Sequence, residues 1–272
     1  MTSGLSKATR PLVGVLTDFG QEDGYVASMK AALLNRCRDA VLIDISHSIE
    51  PGDIRRGSWV LGTCAADFPP ESWFLAVVDP GVGTNRRAIA TQIGSHTFVL
   101  PDNGLISHTL ARLGPPRSLH RIDPAACLPE QPISPTFHGR DLFAPVLGML
   151  ASGLIPIDRL GPSLDYPVLL DLPVPSLSKD GAEGSVDAID RFGNLITNIP
   201  EQWAEELARH TCSVRIAGLR LPIASTFGDV PVQTGLAYWG SSGFLEIALN
   251  QGNAASVWSI RIDTPVQVRF GD

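Results

Sequence analysis

Up to about residue 160, short apolar runs of β type alternate with longer stretches whose apolar residues recur at helical spacing. That alternation predicts an α/β unit built on a mainly parallel, Rossmann-like sheet. Leu12 to Leu16 predicts a first strand, ending in Thr17-Asp18-Phe19-Gly20. Residues 21–35 predict a helix, with Tyr25, Val26, Met29 and Leu33 at helical spacing. Val41 to Ile45 predicts a second strand, and Asp53 is placed to cap a helix running toward Ala66. Trp73 to Val78 predicts a third strand, which delivers Asp79. Ala88 to Ile93 and Thr97 to Leu100, joined through Gly94-Ser95-His96, predict a hairpin, and Arg140 to Ala151 predicts the last helix of this half.

From Tyr166 to Gly181 neither rhythm holds; prolines and serines replace it, and the stretch reads as a linker. The expected organisation is an α/β domain over 10–165, a linker over 166–181 and a second domain over 182–272. In that second part, strand-like pieces are separated by glycines: Gly184 to Ile189, Ser213 to Ile216, Val232 to Tyr238, Phe244 to Leu249 and Val266 to Phe270. They predict an all-β barrel domain, with only Glu201 to His210 helical.

Composition narrows the functional classes. Hydrophobic residues make up 44% of the 272 and charged residues 18%, enough for a sizeable core. The formal charge of -7 and the scattered basic residues argue against nucleic acid. Cys37, Cys64, Cys127 and Cys212 are far apart and form no CxxC pair, which fits reduced thiols. Met1 to Arg10 is polar, without the apolar core of a leader peptide, and no run reaches the ~20 apolar residues of a spanning helix. The expectation is a cytoplasmic protein without a membrane partner.

Ionisable residues beside glycines mark the candidate chemistry. Asp79-Pro80-Gly81-Val82-Gly83 matches neither GxGxxG nor the P-loop, so its glycines point to a tight turn. Asp79 fits either a turn cap or a group that polarises water. Asp18 fits either a helix cap or a carboxylate accepting from a ribose diol. Asp23 falls in the first turn of the predicted helix, where the helix dipole alone would favour it. His138, in Thr136-Phe137-His138-Gly139-Arg140-Asp141, fits either a loop histidine tied to a carboxylate or a group acting on water. No histidine has a partner at metal-ligand spacing, and no metal site is expected. In the second half, Asn194 offers a donor and an acceptor. Phe227 is either core or a stacking face. The turns around Ser241 and Gln251 are either ordinary hairpin turns or backbone that reads a base edge.

Taken in order, these motifs resemble the S-adenosyl-L-methionine hydroxide adenosyltransferase family, which is related to the fluorinases and chlorinases. The resemblance rests on Leu16-Thr17-Asp18-Phe19-Gly20, Val78 to Gly83 with Arg86, Leu100-Pro101-Asp102-Asn103-Gly104, Thr136 to Asp141, Phe192-Gly193-Asn194 with Thr197-Asn198, and Ile247 to Ala255. It spans Val13 to Phe270. The resemblance implies an N-terminal α/β domain, a C-terminal β-barrel, and a homotrimer with sites at the subunit interface. It implies hydrolysis of S-adenosyl-L-methionine to adenosine and L-methionine by water attack on C5′, with no cofactor. By the same resemblance, Asp79, Arg86 and His138 form the catalytic set and Asp18 holds the ribose. Asp23, Asp190 and Ser241 hold the methionine end, and Phe227 stacks on adenine. Asn194 and backbone near Leu249 and Gln251 bind the adenine edge, and Glu246 joins the substrate contacts.

This chain departs from the halogenating relatives at several positions. They carry a tyrosine where it has Asp79, a Tyr-Ser pair where it has His138-Gly139, and a tryptophan where it has Gly52. Ser242 stands where the fluorinase has an arginine. A carboxylate in the nucleophile pocket repels halide and accepts a proton from water. The rival readings are a halogenase, a nucleoside-binding sensor without turnover, and a metal-dependent hydrolase using Asp18, Asp23, Asp79 and His138.

Overall fold

The computed structural model describes residues 10–271. Residues 1–9, most of the polar stretch expected to be no leader peptide, and Asp272 lie outside the described residues. The chain packs as two compact units, one ending at Leu170 and the other beginning at Asp171.

In the first unit, β1 (Leu12–Thr17), α1 (Tyr25–Leu34), β2 (Val41–Ser46), α2 (Ile54–Ala65) and β3 (Trp73–Val77) follow in β/α alternation. Then come the hairpin β4 (Ala88–Ile93) and β5 (His96–Pro101), α3 (Ser107–Leu113), β6 (Pro116–Arg121), α4 (Pro124–Cys127) and α5 (Ala144–Ala151). The sheet order is β2-β1-β3-β5-β4-β6. β2, β1, β3 and β5 run parallel, while β4 is antiparallel to both neighbours. Alternate strand residues face opposite sides. Val13, Val15, Leu75 and Val77 therefore join Met29 and Leu33 of α1 and Val146 and Leu147 of α5 in one core. Leu16, Phe74 and Ala76 join Leu61 of α2 and Leu105 in the other. Both faces of the sheet are covered, which explains the unbroken apolar character of β3.

Two predicted helices start differently in the structure. α1 begins at Tyr25, so Asp23 lies in the turn ahead of the helix rather than in its first turn. The segment Gly139–Phe143 winds as a π-helical turn before α5. Pro145 has no N–H to offer the carbonyl of Asp141, which accepts from the Gln131 side chain at 2.7 Å instead. Asp53 caps α2, accepting from the Arg56 backbone at 2.9 Å. Residues 166–175 form neither helix nor strand. The start of this segment is tied down: Val168 donates to Asp102 at 2.7 Å and Leu170 to Ser107 at 2.9 Å.

The second unit contains β7 (Ser176–Ser178), β8 (Gly181–Ile189), β9 (Leu195–Pro200), α6 (Ala204–Leu207), β10 (Cys212–Ile216), β11 (Leu219–Pro222), β12 (Gly235–Trp239), β13 (Phe244–Leu249), α7 (Ala254–Trp258) and β14 (Pro265–Phe270). Its antiparallel strands run β11-β10-β14-β8-β9-β13-β12, with β7 beside β8. A bridge between Ile223, just past β11, and Ala237 of β12 brings the ends of the sheet together into a nearly closed barrel. Val186, Leu195, Val214, Ile247 and Val268 fill it. α7 corrects the expectation of a single helical stretch here: Asn253 caps it by accepting from the Ser256 backbone at 2.8 Å.

Candidate active site

Thr17 and Val77 are paired across β1 and β3, so the segments leaving both strands emerge at the same sheet edge. This places Asp18 and Asp79 near one another, where open α/β sheets hold their ligands. Asn103 anchors the second segment: its Nδ2 donates to the carbonyl of Val78 at 2.9 Å and its Oδ1 accepts from Leu105 at 3.2 Å. Gly83 sits at φ +76°, and a Cβ there would lie 2.6 Å from the carbonyl oxygen of Pro135. Glycine thus lets the 79–86 loop close onto the loop that carries His138. That second loop is held by Asp141, whose carboxylate accepts from Arg140 at 2.7 and 2.9 Å and from the Ser134 backbone at 3.0 Å.

The closed loops build one hydrogen-bonded chain. Arg86 Nε donates to both Asp79 oxygens, at 2.8 and 3.0 Å, and its Nη2 also pairs with Oδ2. The same Nη2 lies 2.9 Å from Nδ1 of His138. The Asp79 and Arg86 side chains are 5% and 10% exposed, with Phe143 under the guanidinium at 5.0 Å. Arginine only donates, so His138 must accept at Nδ1 and carry its proton on Nε2. Burial and the Arg86 charge both push the His138 pKa down, which favours the same neutral ring. Burial raises the Asp18 pKa, and the Asp79 charge adds to it, while the Gly52 amide opposes by donating to Oδ2 at 2.8 Å. Gly52 has φ +78°, a conformation strained for any side chain.

In the second unit, the β8–β9 turn pairs Asp190 with Asn194. Asp190 accepts from the backbone N–H groups of Phe192 and Asn194, at 2.9 and 2.8 Å, and from Asn194 Nδ2 at 2.9 Å. Gly193 closes this turn at φ +84°, where a Cβ would meet Asn253 at 2.2 Å. Across the β12–β13 register, Tyr238 faces Glu246. The tyrosine hydroxyl donates to Oε2 at 2.6 Å and Ser242 donates to Oε1 at 3.1 Å. Burial raises the Tyr238 pKa strongly, reinforced by Glu246 and by Asp190, so the phenol stays protonated. Phe227 lies over Tyr238 at 5.0 Å between ring centres, half-exposed.

The structure thus gathers Asp79, Arg86, His138 and Asp18 at one edge of the first unit. In the second, Phe227 and Glu246 meet through Tyr238, beside the Asp190–Asn194 turn. Asp23 and Ser241 are exposed on turns, apart from the hydrogen-bonded chains of either set. The carbonyl of Leu249 accepts from Gly252 and that of Gln251 from Gln233, both at 2.9 Å, so neither carbonyl is idle. Sequence reasoning missed Tyr238, the Gly52 amide and the anchoring by Asn103 and Asp141. Tyr238 was legible in principle, because strand alternation with a four-residue turn sets it opposite Glu246. Among the described residues, no group of three or more His, Cys, Asp and Glu is placed to hold a metal ion.

A covered α/β sheet unit with a partly buried Asp–Arg–His chain, followed by an antiparallel barrel-like unit, defines a distinctive two-unit class of protein. Within it, the chain belongs to the SAM hydroxide adenosyltransferase family: residues 13–161 match its N-terminal domain and residues 184–267 its C-terminal domain. An (R)-S-adenosyl-L-methionine hydrolase of Thermus thermophilus is 41% identical, over 93% of this chain and 97% of that protein. One from Salinispora tropica is 37% identical, over 97% and 100%. A fluorinase of Nocardia brasiliensis is 28% identical, over 96% and 98%. The crystal structure of a conserved Thermotoga maritima protein superposes with a TM-score of 0.86 at 36% identity, covering 94% of this chain and 99% of that one.

Proposed function

We propose that this protein hydrolyses S-adenosyl-L-methionine to adenosine and L-methionine. The observation that carries the reading is the partly buried Asp79–Arg86–His138 chain, supported by the hydrolase relatives. The sulfonium makes C5′ electrophilic and leaves as a neutral thioether, so no acid is needed on the leaving group. Water attacks C5′ in line with the C5′–S bond, the C–O bond forms, and the C–S electron pair stays on sulfur. The His138 Nε2–H and the Arg86 guanidinium orient the water. Its proton passes to the Asp79 carboxylate and then to solvent. A weak base suffices, because the attacking oxygen becomes strongly acidic as the C–O bond forms. No cofactor takes part in this mechanism.

Asp18, polarised by Gly52, receives the ribose diol. Phe227 stacks on adenine, and Asn194 with the backbone at Leu249 and Gln251 reads its edge. Asp23, Asp190 and Ser241 hold the methionine end, with Glu246 fixing Tyr238 between the two regions. The active form is a homotrimer in the cytoplasm, each site shared between one subunit's first unit and its neighbour's second. Support comes from the division of the site motifs between the two units of the chain.

Turnover in oxygen-18 water tests the reaction: the label is expected on the adenosine 5′-hydroxyl. Adenosine formed without label there rejects displacement at C5′. A halide-containing nucleoside formed in chloride buffer favours the halogenase reading instead.

A further inference from the structure

Three aromatic side chains of the first unit adjoin the candidate site and take no part in either core's centre. Phe19 directly follows Asp18, and Phe137 directly precedes His138. Their ring centres are 5.8 Å apart, edge to face. Tyr25, the first residue of α1, completes the group at 6.4 Å from Phe19 and 5.4 Å from Phe137, again edge to face. α1 buries Met29 and Leu33, whereas Tyr25 is 52% exposed. Phe19 is wedged: a Cβ on Gly139 would lie 3.1 Å from its Cζ. The group already accepts one cation, since the Arg140 guanidinium lies 4.9 Å over the Phe137 ring. Among the described residues, none places a cation over Tyr25. Two carboxylates, Asp18 and Asp23, lie on the same stretch of chain as Phe19 and Tyr25.

We propose that Tyr25, supported by Phe19 and Phe137, is the subsite that recognises the positively charged sulfur of the substrate, and so selects the sulfonium over neutral thioethers. The proposal rests on the hydrolase reading above. Aromatic faces carry negative quadrupole density and attract a desolvated cation, whereas a thioether gains only packing. The charge on sulfur disappears as the C5′–S bond breaks, so this contact stabilises bound substrate more than the transition state. Losing the Tyr25 face therefore raises KM and weakens discrimination against thioether ligands, and does not lower kcat.

The test separates this proposal from the hydrolase reading by using ligands that are not turned over. Sinefungin, a stable carbon-bridged analogue with an ammonium beside the sulfur position, and S-adenosyl-L-homocysteine, the neutral thioether, are titrated calorimetrically into wild type, Tyr25→Phe and Tyr25→Leu. Wild type and Tyr25→Phe are expected to prefer the cationic ligand. Tyr25→Leu, which keeps apolar volume without a π face, should bind sinefungin about 10-fold more weakly and the thioether nearly unchanged. In turnover, KM should rise similarly and kcat should not fall. Equal affinity of wild type for the two ligands, parallel weakening of both in Tyr25→Leu, or an effect on subunit association alone overturns the proposal. A failure of adenosine release with the charge preference intact overturns the hydrolase reading instead.

Discussion

At the scale of single residues, the Arg86–His138 bond decides how the imidazole works. With Nδ1 engaged, His138 presents an N–H to the site, so in the proposed mechanism it orients water and does not remove its proton. Glutamine reproduces this pattern, accepting from Arg86 at its oxygen and donating from its nitrogen. We therefore expect His138→Gln to keep kcat within about 10-fold of wild type and His138→Ala to lose ~10²-fold, read by adenosine release. Equal losses would make His138 the base. The pH profile carries the same sign. Because burial and Arg86 hold the His138 pKa below 6.5, kcat/KM should be flat at neutrality and fall on an acid limb below 6.5. There the protonated ring loses its bond to Arg86 and faces a second cation. Stability falls through the same interval, since the unfolded chain binds this proton from about 6.5 downward and the folded chain only at lower pH. An acid midpoint at or above 6.5 in the kcat/KM profile contradicts the assignment.

At the scale of elements, the loops that meet at the sheet edge matter more than the strands that carry them. Gly83→Ala forces a side chain into φ +76° and against the Pro135 carbonyl. It should lower stability by about 1–3 kcal/mol in denaturant titration and reduce turnover. Asn103→Ala removes the hydrogen bond to Val78, leaving the peptide before Asp79 unanchored. We expect kcat to fall about 10-fold with stability less affected, because small displacements of a catalytic group are amplified in rate. Unchanged kcat would mean that β3 alone positions Asp79. At this scale the strands were legible where apolar runs were long and unbroken, as in β3. The start of α1, the π-helical turn and α7 were not, because each depends on one specific partner: the turn ahead of Tyr25, the missing N–H of Pro145, and the Asn253 cap.

At the scale of the whole molecule, the shared-site trimer makes a prediction about mixtures. Asp79→Ala disables the first unit's half-site and Asn194→Ala the second's. If sites are built between neighbours, exchange of subunits at equal mixing should restore about one quarter of wild-type activity, because each mixed trimer regains one intact site. Full exchange without recovery, or a fully active monomer in sedimentation, rules this arrangement out.

The β/α alternation from β1 to β3, the β4–β5 hairpin, the change to an antiparallel part, and the choice of Asp79, Arg86 and His138 as candidates were legible in the sequence. Periodicity records which faces are buried, and motif order places ionisable groups after strands. Only the tertiary structure decided which partner each group takes. Arg86 and His138 are 52 residues apart, and nothing local says that one will donate to the other's Nδ1. The same holds for Tyr238 and Glu246, set opposite by strand register, and for the Gly52 amide aimed at Asp18. Hydrogen-bond direction and tautomer belong to pairs of atoms brought together by folding, so they follow from packing and not from composition.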